Sequence, residues 1–172
     1  MYLIPRLAPL LIALLAAAAL ATALVFQHVF GYVPCMLCLW QRWAYYLGIP
    51  LAVVLAAGGI RLPRGAVIAG LVVLLAMFAA NAALGAYHAG VEWHLWAGPT
   101  SCGQGATGPS TGNLIEDLKR TRVVACDAAP WHFLGLSFAG WNMAISAVLA
   151  VIAALGLAGR RGYGSSSESQ YR

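Results

Sequence analysis

The chain has 172 residues, of which 62% are hydrophobic and 9% charged, whereas a soluble domain carries roughly a quarter charged residues. That composition and a mean hydropathy of +0.79 exclude an ordinary soluble fold and point to a multi-pass membrane protein. The net charge of +5 is no nucleic-acid signal, because the arginines flank apolar runs and form no basic stripe.

Residues 7–27 carry no formal charge and are long enough to cross a ~30 Å hydrocarbon core at about 1.5 Å per residue. Arg6 before this run, and Ala19 and Ala21 within it, imitate a secretory signal peptide. The run is longer than a signal core, so a retained helix is expected. After a polar-aromatic turn (28–34), residues 36–57 form a second expected span. Its head reads Cys35-Met36-Leu37-Cys38-Leu39-Trp40-Gln41-Arg42 behind Pro34. Proline suits a helix start, which puts both cysteines in the opening turns. The partial positive charge of that helix end favours the thiolate, the nucleophilic form of cysteine. Gln41 and Arg42 lie three and four residues beyond Cys38, on the same side by helical spacing. Arginine this far into a membrane helix is costly; beside thiols it supplies a fixed cation for a thiolate or for a reduced cofactor oxygen.

Residues 58–65 break the second span with glycines, a proline and two arginines, and residues 66–87 form the third, with Asn81 as its one strongly polar interior residue. His88 follows at the boundary, a hydrogen-bond or proton donor to a carbonyl oxygen, and Glu92 orients it if the helix continues that far. The long hydrophilic loop, 88–140, holds Cys102 and Cys126. Asn113 and Glu116 form a capping-box pattern for a short helix to about Thr121. Residues 129–140 read as a segment lying along the membrane surface, with the start of the last span as the alternative. A fourth span follows at 141–158, and 159–172 reads as a disordered cytoplasmic tail. The fold class expected is an all-α membrane protein: a four-transmembrane-helix bundle, 1–158, with a long loop, on the face opposite the termini, containing short helices.

Arg6, Arg61, Arg64, Arg160, Arg161 and Arg172 fall on the side of the termini. The positive-inside bias then puts both termini in the cytoplasm and all four cysteines outside. The six tryptophans flank that outer boundary, where interfacial anchors belong. Four cysteines on an oxidising face suggest disulfides. Cys35 and Cys38 read as a redox pair; a structural disulfide, an inert pair or half a zinc site are the alternatives. Cys102 and Cys126 read equally as a static staple or as an exchangeable disulfide in a mobile, exposed loop.

Three stretches, taken together, resemble the DsbB family of disulfide-bond formation proteins in bacterial inner membranes. They are the Cys-x-x-Cys followed by Gln41-Arg42, residues 87–102 (YHAGVEWHLWAGPTSC) and residues 126–142 (CDAAPWHFLGLSFAGWN), in the family's order and over nearly the whole chain. The resemblance implies a protein-dithiol:quinone oxidoreductase that oxidises a DsbA-like periplasmic thioredoxin-fold partner and passes two electrons to membrane quinone, ubiquinone or menaquinone. It implies that Cys102 is the sulfur attacked by the partner and Cys126 its mate. Cys35 then exchanges with the loop pair through a transient Cys35–Cys126 link, and Cys38 faces the quinone. Arg42, Gln41 and His88 are the quinone neighbours. Membrane lipid is the other partner, and neither nucleic acid nor metal is expected. A thiol oxidase dedicated to one substrate, and a structural membrane protein with static disulfides, are the competing readings.

Overall fold

The computed structural model describes residues 4–58, 61–99, 102 and 126–168. Its elements are α1 (Ile4–His28), α2 (Met36–Gly58), α3 (Arg64–Glu92), β1 (His132–Phe133), β2 (Leu136–Ser137) and α4 (Phe138–Glu168). The protein is mostly helical. Leu7–His28, Arg64–Glu92 and Phe138–Gly159 are each long and apolar enough to cross a membrane. α2, with 23 residues, has the length but is not among these three, because Gln41, Arg42 and a run of tryptophans and tyrosines dilute its first half. The expected second span is therefore the polar-headed helix of the bundle.

The bundle closes over a core in which Ile12 of α1, Leu71, Leu74 and Phe78 of α3 and Leu149 of α4 are fully buried. α3 and α4 form the most extensive contact, and glycine permits it. A Cβ at Gly85 would lie 2.9 Å from the Met143 backbone nitrogen, and, where α2 meets α3, one at Gly48 would lie 2.8 Å from the Phe78 ring. Backbone cannot yield as a side-chain tip does. Gly85→Val is expected to lower thermal stability by about 1–3 kcal/mol in a detergent melt; an unchanged melt would show that the two helices are not packed this closely. Asn81 meets its partners across this interface. Its Nδ2 donates to Ser146 Oγ at 2.9 Å, and Tyr45 donates to Asn142 Oδ1 at 2.7 Å. Tyr45 of α2, Asn81 of α3 and Asn142 and Ser146 of α4 are thereby linked inside the bundle, and only the Asn142 Nδ2 is left buried without a partner among the described residues.

Several boundaries differ from the sequence expectation. α3 does not stop at 87 but continues to Glu92, ended by a Schellman-type cap. His94 takes φ 57°, its N–H donates to the Val91 carbonyl at 3.0 Å, and the Leu95 N–H donates to the Gly90 carbonyl at 2.9 Å. The Trp96 ring lies against bare Gly90, and its Nε1 donates to the Tyr87 carbonyl. Within the expected surface segment, 129–140, residues 132–137 form a two-stranded antiparallel hairpin, pairing His132 with Ser137 and Phe133 with Leu136. Both turn residues, Leu134 at φ 52° and Gly135 at φ 80°, are left-handed, the geometry of a tight hairpin turn. The last helix starts at Phe138 rather than 141, because Ser137 caps it by accepting the Gly140 N–H at 3.2 Å. It also runs on to Glu168, through part of the expected tail; no proline follows Pro130 to stop it. The short helix expected around 113–121 lies outside the described residues.

Candidate functional site

Cys35 occupies the N-cap of α2. Its carbonyl accepts the first helical bond, from the Leu39 N–H at 3.1 Å, and its Sγ accepts the Cys38 backbone N–H at 3.3 Å. This is the bond a serine or aspartate cap would make, here made by sulfur. The sulfurs of Cys35 and Cys38 are 2.8 Å apart. Hydrogen bonding from the Cys38 thiol is the largest influence on Cys35. Burial opposes it, His88 adds to it, and the thiol is lowered to about 5. The helix end thus holds a thiolate at neutral pH. Because the folded value lies below the unfolded one, the stability it contributes is complete above about pH 9 and is lost as pH falls through about 5. In the reduced protein, ultraviolet thiolate absorbance is expected to rise with a midpoint near pH 5 and to lose that step in Cys35→Ser. A midpoint in the ordinary thiol range near 8.5 would contradict this.

His88, 2% exposed, is a buried part of the site and no solvated boundary residue, since α3 continues another turn beyond it. Its Nε2 lies 3.6 Å from Cys35 Sγ, and its Nδ1 lies 3.0 Å from Gln41 Nε2. Gln41 is itself buried. As placed, the Gln41 amide donates to Nδ1, leaving the ring proton on Nε2 to face the sulfur. One turn on, Glu92 Oε1 stands 3.9 Å from the same Nε2. Ser137 Oγ donates to Glu92 Oε2, tying the end of α3 to the hairpin.

These residues line a cavity of about 400 Å³, walled by α1, α2, α3, α4 and the hairpin. Cys35, Cys38, Gln41, Arg42, His88 and Glu92 supply its polar side, while Phe26, Tyr32, Trp131, Phe138 and Trp141 are among its apolar walls. The Trp131 and Phe138 rings stack with centroids 4.8 Å apart, and Phe26 meets Phe138 edge-on at 5.0 Å. Two of the six tryptophans expected as boundary anchors, Trp131 and Trp141, therefore line the cavity. Arg42 keeps its cation on the cavity wall by donating to Gln27 Oε1 of α1.

Cys102 and Cys126 form a disulfide with Cα atoms 5.4 Å apart. It is not exposed as a mobile loop pair would be: Cys102 is 9% and Cys126 2% accessible, and both pack in one buried cluster with Cys35, Leu37 and Val91, against which Cys38 also lies. The Cys102 N–H donates to the Pro99 carbonyl at 2.9 Å, turning the chain back onto α3. All four cysteines thus meet where α2 begins and α3 ends, one pair bonded and the other free.

Residues 5–156 match the family model described as Disulfide bond formation protein DsbB. The chain belongs to the DsbB family. Among curated DsbB relatives, each called Disulfide bond formation protein B, that of Azoarcus sp. (strain BH72) is 33% identical over 168 residues, 89% of this chain and 93% of its own. That of Polaromonas sp. (strain JS666 / ATCC BAA-500) is 33% identical over 161 residues, 86% of this chain and 88% of its own. That of Marinobacter nauticus (strain ATCC 700491 / DSM 11845 / VT8) is 32% identical over 153 residues, 83% and 85%. The chain is accordingly a disulfide-bond formation membrane protein of a bacterial inner-membrane family, and the DsbB name marks thiol oxidoreductase chemistry. Sequence reasoning did not find three residues of this candidate site. Gln27 shows only as a lone amide at the end of an apolar run. Ser137 is a legible N-cap before the last apolar run, and Trp131 is masked by its resemblance to an interfacial anchor.

Proposed function

We propose that this DsbB-family protein is a protein-dithiol:quinone oxidoreductase, drawing two electrons from a DsbA-like periplasmic partner and delivering them to ubiquinone or menaquinone. One observation carries the reading: two free, touching cysteine sulfurs lie on the wall of an aromatic cavity, while a disulfide packs against one of them from outside that cavity. At about 400 Å³ the cavity is of ligand size, and mostly apolar walls with a few convergent polar groups are what a small planar ligand needs. A quinone head fits this donor set, with Cys38 as the facing sulfur and Arg42, Gln41 and His88 as its polar neighbours. When bound, a quinone supplies the two-electron sink that disulfide formation requires.

The chain's own residues do the rest. Cys35, buried in one cluster with Cys126, is the sulfur placed to exchange with it: a partner's attack on Cys102 frees the Cys126 thiolate, which attacks Cys35 of the oxidised Cys35–Cys38 pair, and the Cys38 thiolate leaves. Cys102 is then the sulfur that receives a partner's thiolate, and the disulfide must leave its buried seat for an in-line approach. His88, oriented by Gln41, steadies the Cys35 charge, and Arg42 places a permanent cation beside the cavity. Both termini are cytoplasmic and the cysteines periplasmic by the arginine distribution. The test is dithiol-dependent reduction of a short-tailed soluble quinone by the purified protein: catalytic turnover is the expected result, and none at all would remove the reading.

A static role is the second reading, since Cys35 Sγ, Cys38 Sγ and the His88 ring nitrogen lie within 4.8 Å of one another, close enough to share a soft metal ion. Thiol trapping separates the two. Cysteines that change state as the quinone pool is reduced belong to the oxidoreductase, and cysteines that never change belong to the static site.

A further inference from the structure

Glu92 has no part in the reactions above, yet it is built into the site. Its side chain is 7% exposed, it lines the same cavity as the sulfurs, and each carboxyl oxygen has its own partner. Oε2 accepts from Ser137, which is fixed in turn as the cap of α4. Oε1 faces His88 Nε2, and that same nitrogen faces Cys35 Sγ. One imidazole nitrogen therefore stands between a thiol and a carboxylate. The other titratable groups near Glu92, among the described residues, are Cys35 and Cys38 at the head of α2 and His132 of the hairpin. The cation of Arg42 is engaged with Gln27.

We propose that Glu92 is the internal proton store of the Cys35–Cys38 pair, taking up one proton through His88 each time the pair is reduced and giving it back when the pair is reoxidised. The proposal rests on the redox reading above. Reduction of the disulfide breaks one S–S bond and consumes two electrons and two protons. In this site the products are a Cys35 thiolate, a Cys38 thiol and a protonated Glu92, so both protons are accounted for without a second thiol proton. His88 carries the transfer at Nε2, with Gln41 holding the far side of the ring. On reoxidation the S–S bond re-forms, and the Cys38 and Glu92 protons leave with the two electrons. Two electrons and two protons are what turn a quinone into a hydroquinone, so the acceptor would draw both from one cavity. Glu92 is on this account a positioning and proton-holding residue that acts on sulfur through His88.

The test needs no quinone for its main readout. Infrared difference spectra of the full-length protein, chemically reduced with dithiothreitol minus oxidised, are expected to show a protonated carboxyl band at neutral pH. Glu92→Gln, which keeps an acceptor for Ser137, should remove that band, and Glu92→Asp should retain it at a shifted frequency. In a second readout, single-turnover reduction of a short-tailed benzoquinone by the reduced protein should slow at least about tenfold in Glu92→Gln, with a larger solvent deuterium effect, and recover in Glu92→Asp. Retention of the Cys102–Cys126 disulfide and an unchanged melt exclude misfolding as the cause. A band that is absent from the wild type or persists in Glu92→Gln overturns the proposal. So does a loss of rate that Glu92→Asp shares in full, which would indicate a structural role. If the wild type shows the band but reduces no quinone, the oxidoreductase reading fails and this proposal falls with it; if it reduces quinone without the band, only this proposal fails.

Discussion

Replacing Cys38 with serine is expected to end quinone reduction by the purified protein, lowering turnover at least about a thousandfold with dithiothreitol as the electron source. The effect is large because two electrons leave together only when a sulfur–sulfur bond forms behind them, and serine cannot form one. Cys35 and Cys38 both line the cavity with their sulfurs 2.8 Å apart, and no third cysteine lines it among the described residues, so nothing there replaces Cys38 as the sulfur that closes onto Cys35. Serine is close in size, and the cap survives, because the Cys38 backbone N–H that binds Cys35 Sγ is untouched. Loss of turnover with an intact Cys102–Cys126 disulfide and an unchanged melt would therefore be loss of chemistry. Turnover within tenfold of wild type would mean that electrons bypass this pair.

Cys102→Ser should separate the two half-reactions. With a reduced DsbA-type thioredoxin-fold protein as donor, turnover is expected to fall at least about a thousandfold, since the sulfur that receives the partner's thiolate is gone. With dithiothreitol, small enough to reach Cys35 and Cys38 unaided, turnover should stay within about threefold. Removing a native disulfide costs roughly 2–5 kcal/mol in small domains, so a melt must accompany the assay. Here the bundle core of Ile12, Leu71, Leu74, Phe78 and Leu149 lies apart from the disulfide and should hold. Equal loss with both donors would contradict a relay through two pairs, and equal retention would make the loop disulfide a staple.

The head of α2 was legible because its signals are local. Proline, two cysteines at helical spacing and a following Gln-Arg need no knowledge of the rest of the chain. What lay in the partners of those residues was not legible. That Gln41 holds His88, 47 positions away, follows from how α2 and α3 cross. That Arg42 takes Gln27 rather than a sulfur as its hydrogen-bond partner follows from how α1 packs. Helix ends failed wherever a side chain from outside the helix decided them: Trp96 covers Gly90 and lets α3 continue past His88. The hairpin was hidden because Leu134 occupies a left-handed turn position usually marked by Asn or Asp. Asn81 shows the converse. It stood out as a polar residue in an apolar span, and the fold supplies Ser146 and Asn142 as its partners.

The most direct measurement is an electron count under anaerobic conditions. Fully reduced protein, with its four cysteines, is mixed with excess short-tailed quinone, and quinone absorbance is followed while the remaining thiols are titrated. Two pairs releasing two electrons each should reduce two quinones per chain and leave no free thiol, the Cys35–Cys38 pair closing first. Quinone left oxidised, or quinone reduced with the thiols still free, would contradict the account.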